Sequence, residues 1–497
     1  MTAPILASSR HYRLFTRLFC TLLLLGILTG VRVVAAQEQT LLADTASMVK
    51  DIHPSAGGSS YPQYFAVWNN TLFFTATDGT SGVELWKSSG TAAGTVLVKD
   101  IRPGGLSANV HSLVPSGSQL FFTADNGQHG QELWVTDGTG ANTRIVKDIN
   151  PGSGGSMGSI PQEVEMAALN GKLIFAADDG ASGQQLWISD GTSSGTTMLK
   201  KINTSGSADI REMTVLNSKV YFTALNSSFL CELWVTDGTA SGTKMVKAIN
   251  PSWGSDPQRL TVSNGRLYFQ ANANFDTELW VSDGTDAGTK MVKDINPAGS
   301  SHPRGLTDVN GTLYFIASDG TYGAELWKSD GTAAGTVMVK DIRSGSQGTF
   351  PETGALFDEF INANGTLFFT ANNGTTGQEL WKSNGTAAGT VMLKDIWPGI
   401  TSSSPKNLTY YKGQVYFQAD DGTLGRELWQ SNGTPTGTKM AFHINPLGHA
   451  DPFGMTEMKG SLYFSASDGT YGKELWRFDS STIVPLPHRV YLPSLRK

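Results

Sequence analysis

Ala324–Ile342 reads AELWKSDGTAAGTVMVKDI, two β-prone runs around a Gly-rich turn, and the chain writes nearly the same sentence many times over. The tryptophan of its Leu-Trp pair recurs at Trp86, Trp134, Trp187, Trp234, Trp280, Trp327, Trp381, Trp429 and Trp476. A repeat near 47 residues is too long for most solenoid coils, and the copies carry no helical apolar period. One copy divides into Arg304–Val309, a tight Asn310-Gly311 turn, Thr312–Ser318, the loop DGTYG, Ala324–Asp330 and Thr336–Ile342. Asn-Gly between two β runs is a strong hairpin signal, and four strands in succession make a meander. Such a unit fits a propeller blade.

The copies do not match in number. The first three strands occur nine times, but the fourth follows only eight of them, because Trp476 runs on into RFDSSTIVPLP. The missing piece stands alone at Ser47–Ile52, SMVKDI. A ring explains this placement, since an N-terminal strand that completes the last blade removes the open edges of an unclosed array. The expected fold is therefore all-β: a single closed β-propeller of nine four-stranded antiparallel blades over 47–478, the last completed by the N-terminal strand. A closed ring with a different strand phase, an open stack or two smaller rings are the alternatives.

The hairpin suggests a register. With Ser329 opposite Thr336, Trp327 faces Met338, Leu326 faces Val339 and Glu325 faces Lys340. The same offset joins Glu84 to Lys99 and Glu278 to Lys293, and leaves Glu474 with no partner but Lys50. A Lys50–Glu474 pair is thus expected at the closure.

Both ends read as something other than blade. Arg10, Arg13 and Arg17 precede an apolar run from Leu18 to Leu28, and small residues end at Ala36, as in a cleaved export signal. Residues 1–36 are read as that signal, 37–46 as a short leader and 479–497 as a tail; a retained membrane anchor is the competing reading, against which the run is short for a span and Arg32 interrupts its far end. The expected location is secreted, extracellular or at the cell surface, with no membrane span after the leader is removed. The net charge of −6 becomes −10 on losing four arginines and no acid, which argues against nucleic acid as a partner. Cys20 falls in the leader, so Cys231 has no mate for a disulfide.

The segments ELWVTDGT (Glu132–Thr139), ELWVSDGT (Glu278–Thr285) and ELWKSDGT (Glu325–Thr332) resemble the bacterial ELWxxDGT repeat, a family of secreted or surface proteins. The likeness covers about 430 of the 497 residues. Ser89, Asn384 and Asn432 depart from the Asp of the motif, and Gln185 departs from its Glu. The resemblance implies location and architecture, and brings no catalytic motif.

Recurring Asp-Gly pairs such as Asp319-Gly320 and Asp468-Gly469 are what tight turns require. None of the eight histidines stands in a zinc-ligand spacing, and no segment has the order of a calcium loop. No metal and no cofactor is expected. Sugar-cleaving propellers need paired carboxylates that break the repeat, and the enlarged third and seventh units offer Glu163, Glu165, Glu352, Asp358 and Glu359. What varies between copies collects on one rim: Arg211, Trp253, Arg259, His302, Arg304, Phe350, Trp397, Lys406 and His449. Loops on a rigid scaffold are where binding residues gather, and aromatic residues with Arg are the usual anchors. The expectation is a monomeric, non-enzymatic propeller that binds an extracellular glycan or protein through that rim. A carbohydrate-active hydrolase or lyase and a structural surface-layer component stand as alternatives.

Overall fold

The structure, a computed structural model, describes residues 44–158, 164–350 and 359–480. The expected export signal, residues 37–43, most of the tail, and Glu163, Glu352 and Asp358 lie outside the described residues; Thr45 and Ala46, expected in the short leader, already belong to the first strand. Nine four-stranded antiparallel sheets follow one another along the chain as the blades of a propeller ring, and the described residues contain no helix. The first strand of each blade touches the first strands of its neighbours, as Arg304–Val309 touches Gln258–Ser263 and Phe360–Ala363, so these strands surround the axis. Among the described residues no helix is long and apolar enough to cross a membrane.

Eight sheets keep chain order. The ninth runs Thr45–Lys50, Lys473–Asp479, Ser461–Ser467, Phe453–Met458, so the N-terminal strand does complete the last blade. Thr45 lies opposite Asp479, Met48 opposite Trp476 and Lys50 opposite Leu475.

Alternating side chains of a strand point to opposite faces, and here both faces are covered. Leu313, Phe315, Ala317 and Trp327 of blade six pack on Tyr268 and Leu279 of blade five. Tyr314, Ile316 and Leu326 pack the other way, on Leu367, Phe369 and Trp381 of blade seven. That is why Leu and Trp of one dipeptide are both buried. At the closing seam Ile52, Tyr463 and Leu475 meet Leu72, Phe74 and Trp86 of blade one, the same packing carried across the chain ends.

The repeated turn is held by its own side chains. Asp330 Oδ1 accepts the Thr332 N–H at 2.9 Å and the Thr332 hydroxyl at 2.7 Å, and Thr336 donates back to the Thr332 carbonyl at 2.7 Å. Gly331 has φ 88°, and a Cβ there would lie 2.5 Å from the Tyr268 hydroxyl of the preceding blade. Asn384 and Asn432 accept the same two bonds from Thr386 and Thr434, so those departures leave the turn intact.

The hairpin register differs from the expected one. Trp327 faces Met338, but Leu326 faces Lys340, because Val339 is an extra residue in a β-bulge. A bulge turns every later side chain to the other face, so Glu325 and Lys340 part company. Lys340 crosses the seam instead: its Nζ donates to the Thr390 carbonyl at 2.8 Å and lies 5.9 Å from the centre of the Trp381 ring in blade seven.

The expected Lys50–Glu474 pair fails for the same reason. Lys50 reaches the Thr95 carbonyl at 2.8 Å and the Trp86 ring at 5.8 Å, both in blade one. Glu474 is wholly buried and accepts from the backbone N–H of Ile52 and Ser60, at 3.0 and 3.1 Å, and from the Ser60 hydroxyl at 2.6 Å. Both residues serve closure, each through other partners. The pattern is general. Glu325, also fully buried, accepts from the N–H of Ile342 and the hydroxyl of Thr349, tying the outer strand's end and the next connection to the middle of the blade. Gln185 does the same in blade three.

Around the axis, the first strands of seven blades carry a bulge whose residue has positive φ, among them Tyr64, Ser112, Glu212, Arg259 and Asn407. Blades three and seven have shorter first strands, Met166–Leu169 and Phe360–Ala363, without it. There Glu165 accepts the Met213 N–H of blade four at 3.0 Å, and Glu359 accepts the Asn407 N–H of blade eight at 3.0 Å. These two acids of the enlarged units join neighbouring blades.

Candidate functional site

Blade-to-blade connections and the loops after the second strands share one rim. At the start of seven connections a side chain lies over the Asp-Gly or Asn-Gly turn of the next blade. Asn150 covers Gly180, Asn296 covers Gly320 and Asn445 covers Gly469, and each Asn also donates to a carbonyl of its own connection. Between blades seven and eight this place belongs to Trp397. Its indole rests so close to Gly422, at φ 78°, that no side chain would fit there. The repeat fixes where the ring sits, while its size opens a different surface.

Beside that indole is a pocket of about 370 Å³, lined among others by Trp397, Asp420, Leu424, His443, Leu447 and His449. His443 is present because blade eight writes Phe442-His443 at the end of its outer strand, where six of the other eight copies write Lys-Asp. Its Nε2 lies 3.8 Å from Oε1 of the fully buried Glu427. Burial pushes the Glu427 carboxyl up to about 7, against the pull of the Ile444 and Asn445 N–H groups. His449 Nδ1 accepts the Arg426 N–H at 2.9 Å and stands 3.9 Å from Asp420 Oδ2. An Nδ1 that accepts a backbone proton leaves the neutral ring's own proton on Nε2.

The loop forming the wall is stiff, since Asp421 Oδ1 accepts the N–H groups of Thr423 and Leu424 at 2.9 and 2.8 Å. Leu447 projects into solvent at 77% exposure, so the mouth is apolar. An indole face with leucines suits a flat apolar group, and a carboxylate suits an amine.

Of the nine rim residues expected from sequence, Trp397 and His449 meet in this pocket. Arg211 lines a separate hollow of about 550 Å³ with Asp209 and Glu165, but its guanidinium is already held by Asp209 at 2.7 Å. Arg259 and Lys406 stand on first strands near the axis, and His302 and Trp253 lie on other connections. Two expectations are corrected. Phe350 is 4% exposed and packs on Phe360 and Phe369, because its N–H bonds to the Ala324 carbonyl and draws the segment into the seam. Arg304, at 5% exposure, is buried where the first strand begins. Asp420, Leu424, His443 and Leu447 were not singled out, although the Phe442-His443 break in the repeat was their signal.

No protein-family model and no curated protein matches the chain. Among solved structures it is similar to a puromycin hydrolase, at 12% identity and TM-score 0.36, with 76% of this chain and 61% of that one covered. It is similar to one of two prolyl endopeptidases at 12% and 0.39, covering 72% and 54%, and to a Mycobacterium tuberculosis puromycin-hydrolysing peptidase at 10% and 0.39, covering 85% and 60%. The chain thus spans about three fifths of the length of these proteins, and likeness at this level is one of fold. All of them are peptidases or hydrolases, which departs from the expected non-enzymatic binding scaffold and from its glycan-cleaving and surface-layer alternatives.

Proposed function

We propose that this chain is an exported ELWxxDGT-type propeller of a hydrolytic enzyme, and that it takes a small peptide-like substrate bearing an aromatic group and an amine into the pocket of blade eight. The observation that supports the reading is the meeting of Trp397, Asp420 and two histidines at one break in the repeat. The leader-like N-terminus and the ELWxxDGT segments support the exported part.

Puromycin, an aromatic aminoacyl compound with a free amine, is the first probe, and a prolyl anilide is the second. Titration followed by tryptophan fluorescence, alongside assays of hydrolysis, is expected to show saturable binding. Trp397→Ala and Asp420→Asn should each weaken it by about tenfold, as loss of one cation–π or charged contact does. Asp420→Asn keeps the indole's packing, so it separates recognition from folding. Binding that neither substitution alters, or no binding of either probe, would remove the pocket from consideration.

A further inference from the structure

The repeat breaks a second time, in two adjacent blades. Seven blades place Gly at the second position of an Asp-Gly or Asn-Gly loop, with φ between 77° and 84° (Gly79, Gly127, Gly180, Gly320, Gly374, Gly422, Gly469). Blades four and five lack that glycine. They present Phe229 at φ 59° and Phe275 at φ 71°, a region that bulky side chains rarely adopt. Neither ring belongs to the core, since Phe229 is 57% and Phe275 76% exposed. Strain that serves no core marks a surface kept for something else.

The connection between these two loops carries Trp253, which is 71% exposed and 6.0 Å from Phe275 between ring centres. It is held against blade four, because a Cβ at Gly254 would lie 2.8 Å from the Cys231 nitrogen. Trp253 and Phe275 therefore stand together on the rim, while Phe229 occupies the neighbouring loop beside Gly206 of the preceding connection. Beside them are acids: carboxylate oxygens of Asp276, Glu278 and Asp294 lie within 4.8 Å of one another. Among the described residues neither Asp276 nor Asp294 has a Lys or Arg ion-pair partner.

We propose that this aromatic arc, with Asp276 and Asp294 at its edge, is a docking surface for a basic, apolar peptide segment. Aromatic faces take both apolar side chains and guanidinium groups, and unpaired carboxylates select a cationic partner over anionic lipid or nucleic acid. The surface is distinct from the blade-eight pocket and does not depend on how that pocket is used.

The probe is a fluorescein-labelled nonapeptide of alternating Arg and Leu, with a Glu-Leu counterpart and phosphatidylserine vesicles as the other arms. Anisotropy should show the Arg-Leu peptide bound to the full chain, and neither of the others. Trp253→Ala should weaken binding about tenfold, and Asp276→Asn with Asp294→Asn should flatten its salt dependence. Phe275→Gly should weaken binding while leaving Tm unchanged or raised, since glycine relieves the strain. A lowered Tm in Phe275→Gly would make the ring structural and overturn the proposal. So would equal binding by the Trp253→Ala chain, equal uptake of the Glu-Leu peptide, preference for vesicles, or no binding at all.

Discussion

A chain lacking Thr45–His53 is expected to lose about 3–5 kcal/mol of stability, the cost of stripping donors from a buried charged group and exposing core surface. Three losses combine. The strand Lys473–Asp479 becomes an open edge. Ile52, 3% exposed, leaves the seam between blades nine and one. Glu474, with no exposure of its own, loses the N–H of Ile52 and keeps only its bonds to Ser60. Lys50 also leaves the Thr95 carbonyl and the Trp86 ring, which loosens blade one as well as blade nine. Thermal unfolding and size-exclusion chromatography of the deletion should show a lower Tm and self-association. A synthetic peptide of residues 45–53, added in excess, should raise Tm with concentration, because it binds the folded ring alone. An unchanged Tm in the deletion would mean that the ring does not rely on this strand.

Glu325→Ala is expected to cost about 3 kcal/mol, whereas Glu325→Gln should stay within about 1 kcal/mol of the natural chain. Alanine leaves the N–H of Ile342 and the Thr349 hydroxyl without their acceptor in a site that excludes water. Glutamine keeps an acceptor, and blade three already uses one. Gln185 accepts the Ile202 N–H at 2.8 Å and donates to the carbonyls of Ser182 and Gly206 at 2.9 and 2.8 Å. Urea unfolding of the two variants decides the matter, since equal losses would mean that the acceptor is irrelevant.

The same carboxyls set a pH dependence. Burial pushes Glu84 up to about 8 and Glu132, Glu278, Glu325 and Glu379 up to about 7, from an ordinary value of 4.5, although N–H and hydroxyl donors pull the other way. A carboxyl whose folded pKa is raised stabilises the fold fully below its unfolded value, and that stability is lost as pH rises through the folded value. Tm should therefore fall between about pH 5 and pH 8. The turn acids act oppositely and at lower pH: Asp330 is held below its ordinary 3.8 by the Thr332 hydroxyl and N–H, so its contribution disappears on acidification. Glu325→Gln should make the fall between pH 5 and pH 8 shallower. A flat profile across that range would contradict the assignment.

What was legible in the sequence was whatever repeats. The Leu-Trp period gave nine blades, and the stray SMVKDI gave the closure, because a copied strand betrays its place wherever it sits. The Glu–Lys register failed because strict alternation cannot see a bulge at Val339. Where Lys340 goes was also hidden, since its partners Thr390 and Trp381 belong to another blade and no spacing within one copy points to them. Phe350 looked like rim because it lies in a varied connection, and only the bond from its N–H to Ala324 shows it turning inward. The blade-eight pocket was half visible, as Trp397 and His449 stood out while His443 sat unnoticed in place of a repeated Asp.

The pairing of Thr45–Lys50 with Lys473–Asp479 also fixes an order of events. The first strand to emerge during synthesis is the last to dock, with more than 400 residues to be made in between. At about 5–20 residues per second that is a delay of roughly 20–90 s. Through that interval a six-residue ribbon stays unmated, and an unfinished ring offers it only the wrong neighbours. The lysine and aspartate at its end are fitting protection for so long a wait.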